Sequence, residues 1–197
     1  MESFRCYMEA FGGAPFFTYQ GSKANIRTWV IQFMPTEGRW YVEPFGGRGN
    51  MFFLARKQLK FSNWHINDLN SAGFFNNLAS ADLDKMPTAV DRTAFDTFKA
   101  NRQDPWSQIM EPEISHLGHY RGGYKGAYGK GKTWQFNRDK YAARVQQAQE
   151  SLKDVKVTSL SWDQMGLQKY GPEDFIYLDP PYLDTDNRYY KDIDHEA

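Results

Sequence analysis

An α/β fold built on a parallel sheet is the architecture that three stretches of this 197-residue sequence predict. The first runs over residues 40–68 as strand, glycine-rich turn, amphipathic helix, strand and acid. That order is the opening half of a nucleotide-binding α/β unit. The second is Val155-Lys156-Val157, a short strand following a helix-forming stretch at 138–153. The third is Phe175-Ile176-Tyr177-Leu178, an apolar run of strand length that reads as a buried strand of a parallel sheet. It ends in Asp179-Pro180-Pro181-Tyr182, where two prolines force the chain to turn. Asp179 and Tyr182 then project from the carboxyl edge of the sheet, the edge at which open α/β sheets bind ligands.

The elements follow in order. Residues 16–22 are aromatic and then glycine-containing, and 23–33 predicts a helix. Trp40-Tyr41-Val42-Glu43 predicts a strand. Pro44-Phe45-Gly46-Gly47-Arg48-Gly49 is a turn whose glycines let the backbone approach a ligand closely. Apolar Met51, Phe52, Leu54, Ala55 and Leu59 give 50–60 an amphipathic helical face. Trp64-His65-Ile66-Asn67 predicts the second strand, closed by Asp68. An acid about 20 residues beyond the glycine turn accepts ribose hydroxyls in nucleotide-binding folds, and a lone aspartate also caps helices. Helices are predicted over 70–79, 88–103 and 162–170, and no internal repeat is present. Residues 104–136 read as irregular and glycine-rich, long for a connection in a compact domain.

Composition narrows the class. Hydrophobic residues make up 41% and aromatic residues 17%, enough for a packed core in one domain. No apolar run approaches the length of a membrane helix, and no secretory signal opens the chain. Cys6 is the only cysteine, which excludes an intramolecular disulfide and a cysteine-rich zinc site. His65, His116, His119 and His195 are not at metal-ligand spacing. The expectation is a cytoplasmic monomer without metal or membrane. Net charge is zero, but its distribution is uneven. Arg121, Lys125, Lys130, Lys132, Arg138, Lys140 and Arg144 face only Asp139 as an opposing charge between His119 and Arg144. Beyond Gly171 acids dominate. A basic segment inside a neutral chain serves as a local phosphate-facing surface or as an ordinary solvated face.

The motifs together resemble the Dam-type (D12 class) N6-adenine-specific DNA methyltransferases. Asp179-Pro180-Pro181-Tyr182 resembles their catalytic motif. Phe45-Gly46-Gly47-Arg48-Gly49, preceded by Glu43-Pro44, resembles their S-adenosylmethionine turn. Asp68-Leu69-Asn70 is similar to their Asp-x-Asn. Tyr19-Gln20-Gly21-Ser22-Lys23 resembles an N-terminal Trp-Ala-Gly-Gly-Lys, with tyrosine for tryptophan and serine for glycine. Thr158-Ser159-Leu160-Ser161-Trp162-Asp163 stands where the family has a segment beside the cofactor adenine. Ser161 replaces its usual acid, so Trp162 reads as an adenine flank or as core.

The resemblance implies a Rossmann-like methyltransferase fold, S-adenosyl-L-methionine as cofactor and double-stranded DNA as partner, in a bacterial or phage-infected cell. It implies DNA methylation, with or without a restriction partner. It implies catalysis by Asp179, Pro180 and Tyr182, and cofactor binding by Tyr19, Lys23, Glu43, Phe45, Gly47, Gly49, Asp68 and Asp179. Lys23 would neutralise the cofactor carboxylate or sit near Asp179. DNA contact falls to Arg121, Tyr124, Lys125, Lys130 and Lys132, where tyrosines and cations interleave. The catalytic domain would comprise 1–87 and 138–197, with 88–137 an inserted target-recognition segment. Alternatives are an inactive DNA- or cofactor-binding protein, an N4-cytosine enzyme, which usually carries serine at position 179, and an RNA amino-methyltransferase. Further strands follow this motif in the family. The sequence therefore reads as C-terminally truncated, with strands missing and 175–178 left as an open edge.

Overall fold

The computed structural model describes residues 16–18, 22–88, 90–101, 103–116, 123–125 and 136–181. Its centre is a four-stranded sheet of β1 (Glu37–Glu43), β2 (Lys60–Asn67), β3 (Val155–Thr158) and β4 (Phe175–Ile176), ordered β3-β2-β1-β4. Every adjacent pair is parallel. This is the Rossmann-like arrangement, and the strand order reverses between β1 and β4. A reversal of that kind opens a crevice at the carboxyl ends of the two strands.

β1 and β2 extend further toward their amino ends than their apolar cores predict. Glu37 pairs with Lys60, both exposed, and half-buried Gly38 pairs with Phe61, whose ring is buried in the core. β4 is shorter than predicted and only half-buried, and Leu178 is 56% exposed. Its one described neighbour is β1, where Tyr41 pairs with Phe175 and Val42 with Ile176. The Tyr177 amide adds one more bond, donating to the Val42 carbonyl at 2.8 Å.

Around the sheet lie α1 (Arg27–Val30), α2 (Asn50–Gln58), α3 (Ala72–Ser80), α4 (Arg92–Ala100), α5 (Pro105–Ile114) and α6 (Arg138–Ser151). The predicted helix over 23–33 shrinks to α1 and a 3₁₀ turn at Ile31–Phe33. The predicted helix over 162–170 is two 3₁₀ turns, Trp162–Met165 and Leu167–Lys169, parted by Gly166 at φ 63. Trp162 is 44% exposed and is not core. Aromatic side chains of the sheet and α2 form the packed centre. Tyr41 lies 5.0 Å from Trp64 and 5.8 Å from Phe61 between ring centres, and Phe52 closes on Trp64 at 6.0 Å.

The largest departure from the sequence reading is α5, which occupies residues predicted to be irregular. Asp104 caps it by accepting from the Ser107 amide at 2.8 Å, and Pro105 stands in its first turn. Proline at that position starts helices. Trp106, Ile109, Met110 and Ile114 are buried. Pro112 stands inside the helix and has no N–H for the carbonyl four residues back. That carbonyl belongs to Gln108, and the Arg48 guanidinium donates to it. Arg48 also donates to the Ile109 carbonyl at 2.9 Å and stacks over Phe74 at 4.1 Å. An arginine of the glycine turn thus supplies the hydrogen bond that the proline cannot. Arg48→Ala is expected to cost about 3 kcal/mol by leaving buried carbonyls unpaired. Adding Pro112→Ala should recover part of that loss, because an amide returns beneath Gln108. Urea unfolding of the two single variants and the double variant measures the coupling.

Candidate active site

The glycine turn leaves β1 at Glu43 and enters α2 at Asn50. Gly49 sits at φ 71, and a Cβ there would lie 2.9 Å from Phe53 and 3.0 Å from Phe75. Only glycine is comfortable in that combination of dihedral and crowding. The Gly46 amide donates to the Asn67 carbonyl at 2.9 Å, so the turn is laced to the end of β2.

Asn67 is the hub of this edge. Its side-chain amide donates to the carbonyls of Pro44 and Leu160, both at 2.9 Å. Its Oδ1 accepts from the Leu160 amide at 2.8 Å and from the Thr158 hydroxyl at 2.7 Å. Thr158 has then committed its proton, so His65 Nε2–H donates to Thr158 Oγ1 at 2.8 Å, leaving His65 Nδ1 to accept from Tyr170 at 3.0 Å. This neutral ring is favoured by burial, then by the nearby Lys156 and Lys169, which push its pKa down to about 4. Every member of the chain from Tyr170 to Pro44 is satisfied, and such networks rigidify what they touch. What they touch here is the turn and the Leu160 segment.

Asp68 follows Asn67. Its Oδ2 accepts from the Gly47 amide at 2.8 Å. Its Oδ1 accepts from the amides of Asn70 at 2.9 Å and Ser71 at 2.7 Å. The residue thus caps the approach to α3 and locks the glycine turn at once. Burial pushes its carboxyl up, against the pull of these backbone donors. The Ser71 side chain adds a further hydrogen bond to the same carboxyl, so Asp68 is held by donors from both the turn and the start of the next helix.

Glu43 is 2% exposed and accepts from the Tyr41 hydroxyl at 2.8 Å. Burial, reinforced by the charges of Asp179 and Asp68, pushes its pKa up to about 8 against the Tyr41 hydrogen bond. The acid therefore holds its proton in the folded state between pH 4.5 and about 8, where the unfolded chain has lost it. Folding then binds an extra proton, so this residue's contribution is full below pH 4.5 and falls as pH rises through 8. Glu43→Gln mimics the neutral acid. Relative to the parent, the variant is expected to match it near pH 4.5 and to be more stable above pH 8, by on the order of 3 kcal/mol. Thermal melts of both proteins across that range check the sign.

Asp179 lies past β4, facing the same crevice. Lys23 reaches it from the amino-terminal segment, with Nζ 2.8 Å from Oδ2, and both side chains are largely shielded. Phe45 and Gly47 of the turn are half-buried and Pro180 is exposed. Among the residues singled out from sequence, the crevice therefore gathers Lys23, Glu43, the glycine turn, Asp68 and Asp179. Tyr19, Tyr182, Arg121, Lys130 and Lys132 fall outside the described residues. Tyr124 is anchored in the fold, its hydroxyl donating to the Val90 carbonyl at 3.2 Å and its ring 5.8 Å from Phe95. Lys125 is half-buried beside it.

Comparison with protein families decides the assignment. The D12 class N6 adenine-specific DNA methyltransferase model matches residues 19–108 and 119–196. The chain belongs to this family. No curated protein matches it closely enough to be counted a relative. Family membership implies DNA N6-adenine methyltransferase activity, and methyltransferases of this family generally use S-adenosylmethionine. The donor set is compatible with that cofactor, which carries sulfonium and ammonium charges: the carboxyl groups of Asp68 and Asp179 stand near a glycine turn that lets a ligand approach the backbone closely. Among the described residues no group of three His, Cys, Asp or Glu side chains could hold a metal. No described helix is long and apolar enough to cross a membrane.

Several participants escape a reading of sequence. Asn67, Thr158 and His65 are ordinary strand residues until the register aligns them. Arg48 looks like a ligand-facing cation, yet it is 3% exposed and turned inward. One signal for it existed: Pro112 implied an orphan carbonyl needing an outside donor.

Proposed function

We propose that this chain moves the methyl group of S-adenosyl-L-methionine to the N6 amine of an adenine extruded from double-stranded DNA. The single observation carrying the reading is the placement of Asp179 beside the glycine turn at the point where strand order reverses, its carboxylate oriented by Lys23.

Tyr19, Lys23, Glu43, Phe45, Gly47, Gly49 and Asp68 would hold the cofactor, with Asp68 on the ribose and exposed Leu160 and Trp162 flanking the adenine. When bound, the cofactor supplies an electrophilic methyl group. Asp179 and the Pro180 carbonyl then accept the two amino hydrogens of the target base. These hydrogen bonds localise a lone pair that is otherwise delocalised into the ring, and Tyr182 stacks on the base. As the N6–methyl bond forms the methyl–sulfur bond breaks, a neutral thioether leaves, and the N6 proton facing Asp179 passes by way of that carboxylate to solvent; positioning and polarisation drive the step without a covalent nucleophile. An adenine inside the duplex cannot reach this crevice, so extrusion is required. Arg121, Tyr124, Lys125, Lys130 and Lys132 would contact DNA from the inserted segment 88–137, with 1–87 and 138–197 forming the catalytic domain.

Incubating the chain with methyl-labelled cofactor and duplex DNA, single-stranded DNA or RNA tests the reading. Label in duplex DNA supports it. Cofactor binding without transfer to any substrate would favour an inactive binding protein, and label in RNA alone would move the substrate class.

A further inference from the structure

We propose that Glu113 is a positioning residue that ties the cofactor-facing segment beginning at Thr18 to the base of the target-recognition segment. This rests on the functional reading above. Glu113 stands next to the last residue of α5 and is 8% exposed. One carboxylate oxygen accepts from the Thr18 amide. The other accepts from the Thr18 hydroxyl at 3.0 Å and lies 3.6 Å from an Arg144 guanidinium nitrogen of α6. Both oxygens are thus committed to Thr18 in a shielded place, where charge-assisted bonds are strong and directional.

Each end of this contact leads to a different part of the proposed site. Thr18 directly precedes Tyr19, and Lys23 of the same segment reaches Asp179. A second grip on that segment comes from Asn50, which donates to the Phe17 carbonyl at 2.7 Å and accepts from the Phe16 amide at 2.6 Å. Asn50 follows Gly49 and begins α2. On the other side, Ser115 lies two residues beyond Glu113 and bridges Tyr124 in antiparallel fashion. The His116 amide donates to the Gly123 carbonyl at 2.8 Å, closing the base of the glycine- and lysine-rich segment. Arg48 fastens the middle of the same helix to the cofactor turn. α5 is therefore gripped by the turn at its centre and by Thr18 at its end. Thr18 and Glu113 both lie outside the family-matched segments 19–108 and 119–196.

An ion pair serving stability alone would lower the melting temperature without touching two separate ligands selectively. The test uses the full chain with Glu113→Ala, Glu113→Gln and Thr18→Val. Titration calorimetry gives the dissociation constant for S-adenosyl-L-methionine, and anisotropy gives that for a fluorescent DNA duplex of mixed sequence. Folding is checked by circular dichroism. Glu113→Ala is expected to weaken both ligands about tenfold, the size of one lost charge-assisted hydrogen bond. Glu113→Gln keeps an acceptor for the Thr18 amide and should recover most of that loss. Thr18→Val should weaken both ligands to an intermediate degree, and it decides alone if Glu113→Ala does not fold. Folded variants that bind both ligands as the parent does, or that lose only one, overturn the tie. A parent chain that binds neither ligand overturns the functional reading and the tie with it.

Discussion

Asp179→Ala is expected to lower the rate of methyl transfer on the order of 10³-fold, the cost of removing one preorganised polarising group. Cofactor affinity should change far less, because the turn and Asp68 remain. The asymmetry follows from what Asp179 does. Its contact with the target amine strengthens as the lone pair localises, so the loss belongs to the transition state and falls on kcat. Lys23 complicates a simple deletion, since it loses the partner now 2.8 Å away. Lys23→Met is the control: it should misorient Asp179 and lower kcat by a smaller factor. Single-turnover rates with saturating cofactor separate these effects from binding. Equal losses in both variants would assign the chemistry to the ion pair as a unit.

Asp68 gives the second large effect. Asp68→Ala removes the acceptor for three backbone amides, one of which fixes the glycine turn at Gly47. It also removes the proposed ribose acceptor. Cofactor affinity should fall about 100-fold, roughly two hydrogen bonds' worth. Asp68→Asn discriminates between roles. A helix cap tolerates asparagine with little cost. Here the second carboxylate oxygen faces the Gly47 N–H, and an amide nitrogen in its place would oppose donor to donor. Asparagine should therefore bind the cofactor nearly as poorly as alanine. Calorimetry on both variants reads the difference, and an asparagine variant with parent affinity would reduce Asp68 to a cap.

What the sequence disclosed has a common physical character. The glycine turn, the acid after β2 and the proline-closed motif after β4 each leave a local chemical mark. Glycine marks positive φ at Gly49, and proline marks the end of a strand. These marks put the predicted site at the carboxyl edge, where Lys23 meets Asp179 and Asp68 meets the glycine turn. The parts that stayed hidden depend on contacts between distant segments. Residues 104–136 read as irregular and glycine-rich, yet their first part is a helix: Pro105 begins it and Pro112 is compensated by Arg48 from 60 residues away. The apolar residues of β4 read as a buried strand and its place in the sequence as an open edge; the strand is half-buried, with β1 its one described neighbour. The reach of Asn67 to Pro44 and Leu160, and of Glu113 to Thr18, is set by register and packing, which no local pattern specifies.

The most direct test is the product itself. Duplex DNA incubated with the chain and S-adenosyl-L-methionine is digested to nucleosides and resolved by mass spectrometry. The expected result is N6-methyldeoxyadenosine, formed by the parent chain and lost with Asp179→Ala. N4-methyldeoxycytidine in its place, or the same N6-methyldeoxyadenosine yield from Asp179→Ala, would contradict the assignment of this crevice to adenine methylation.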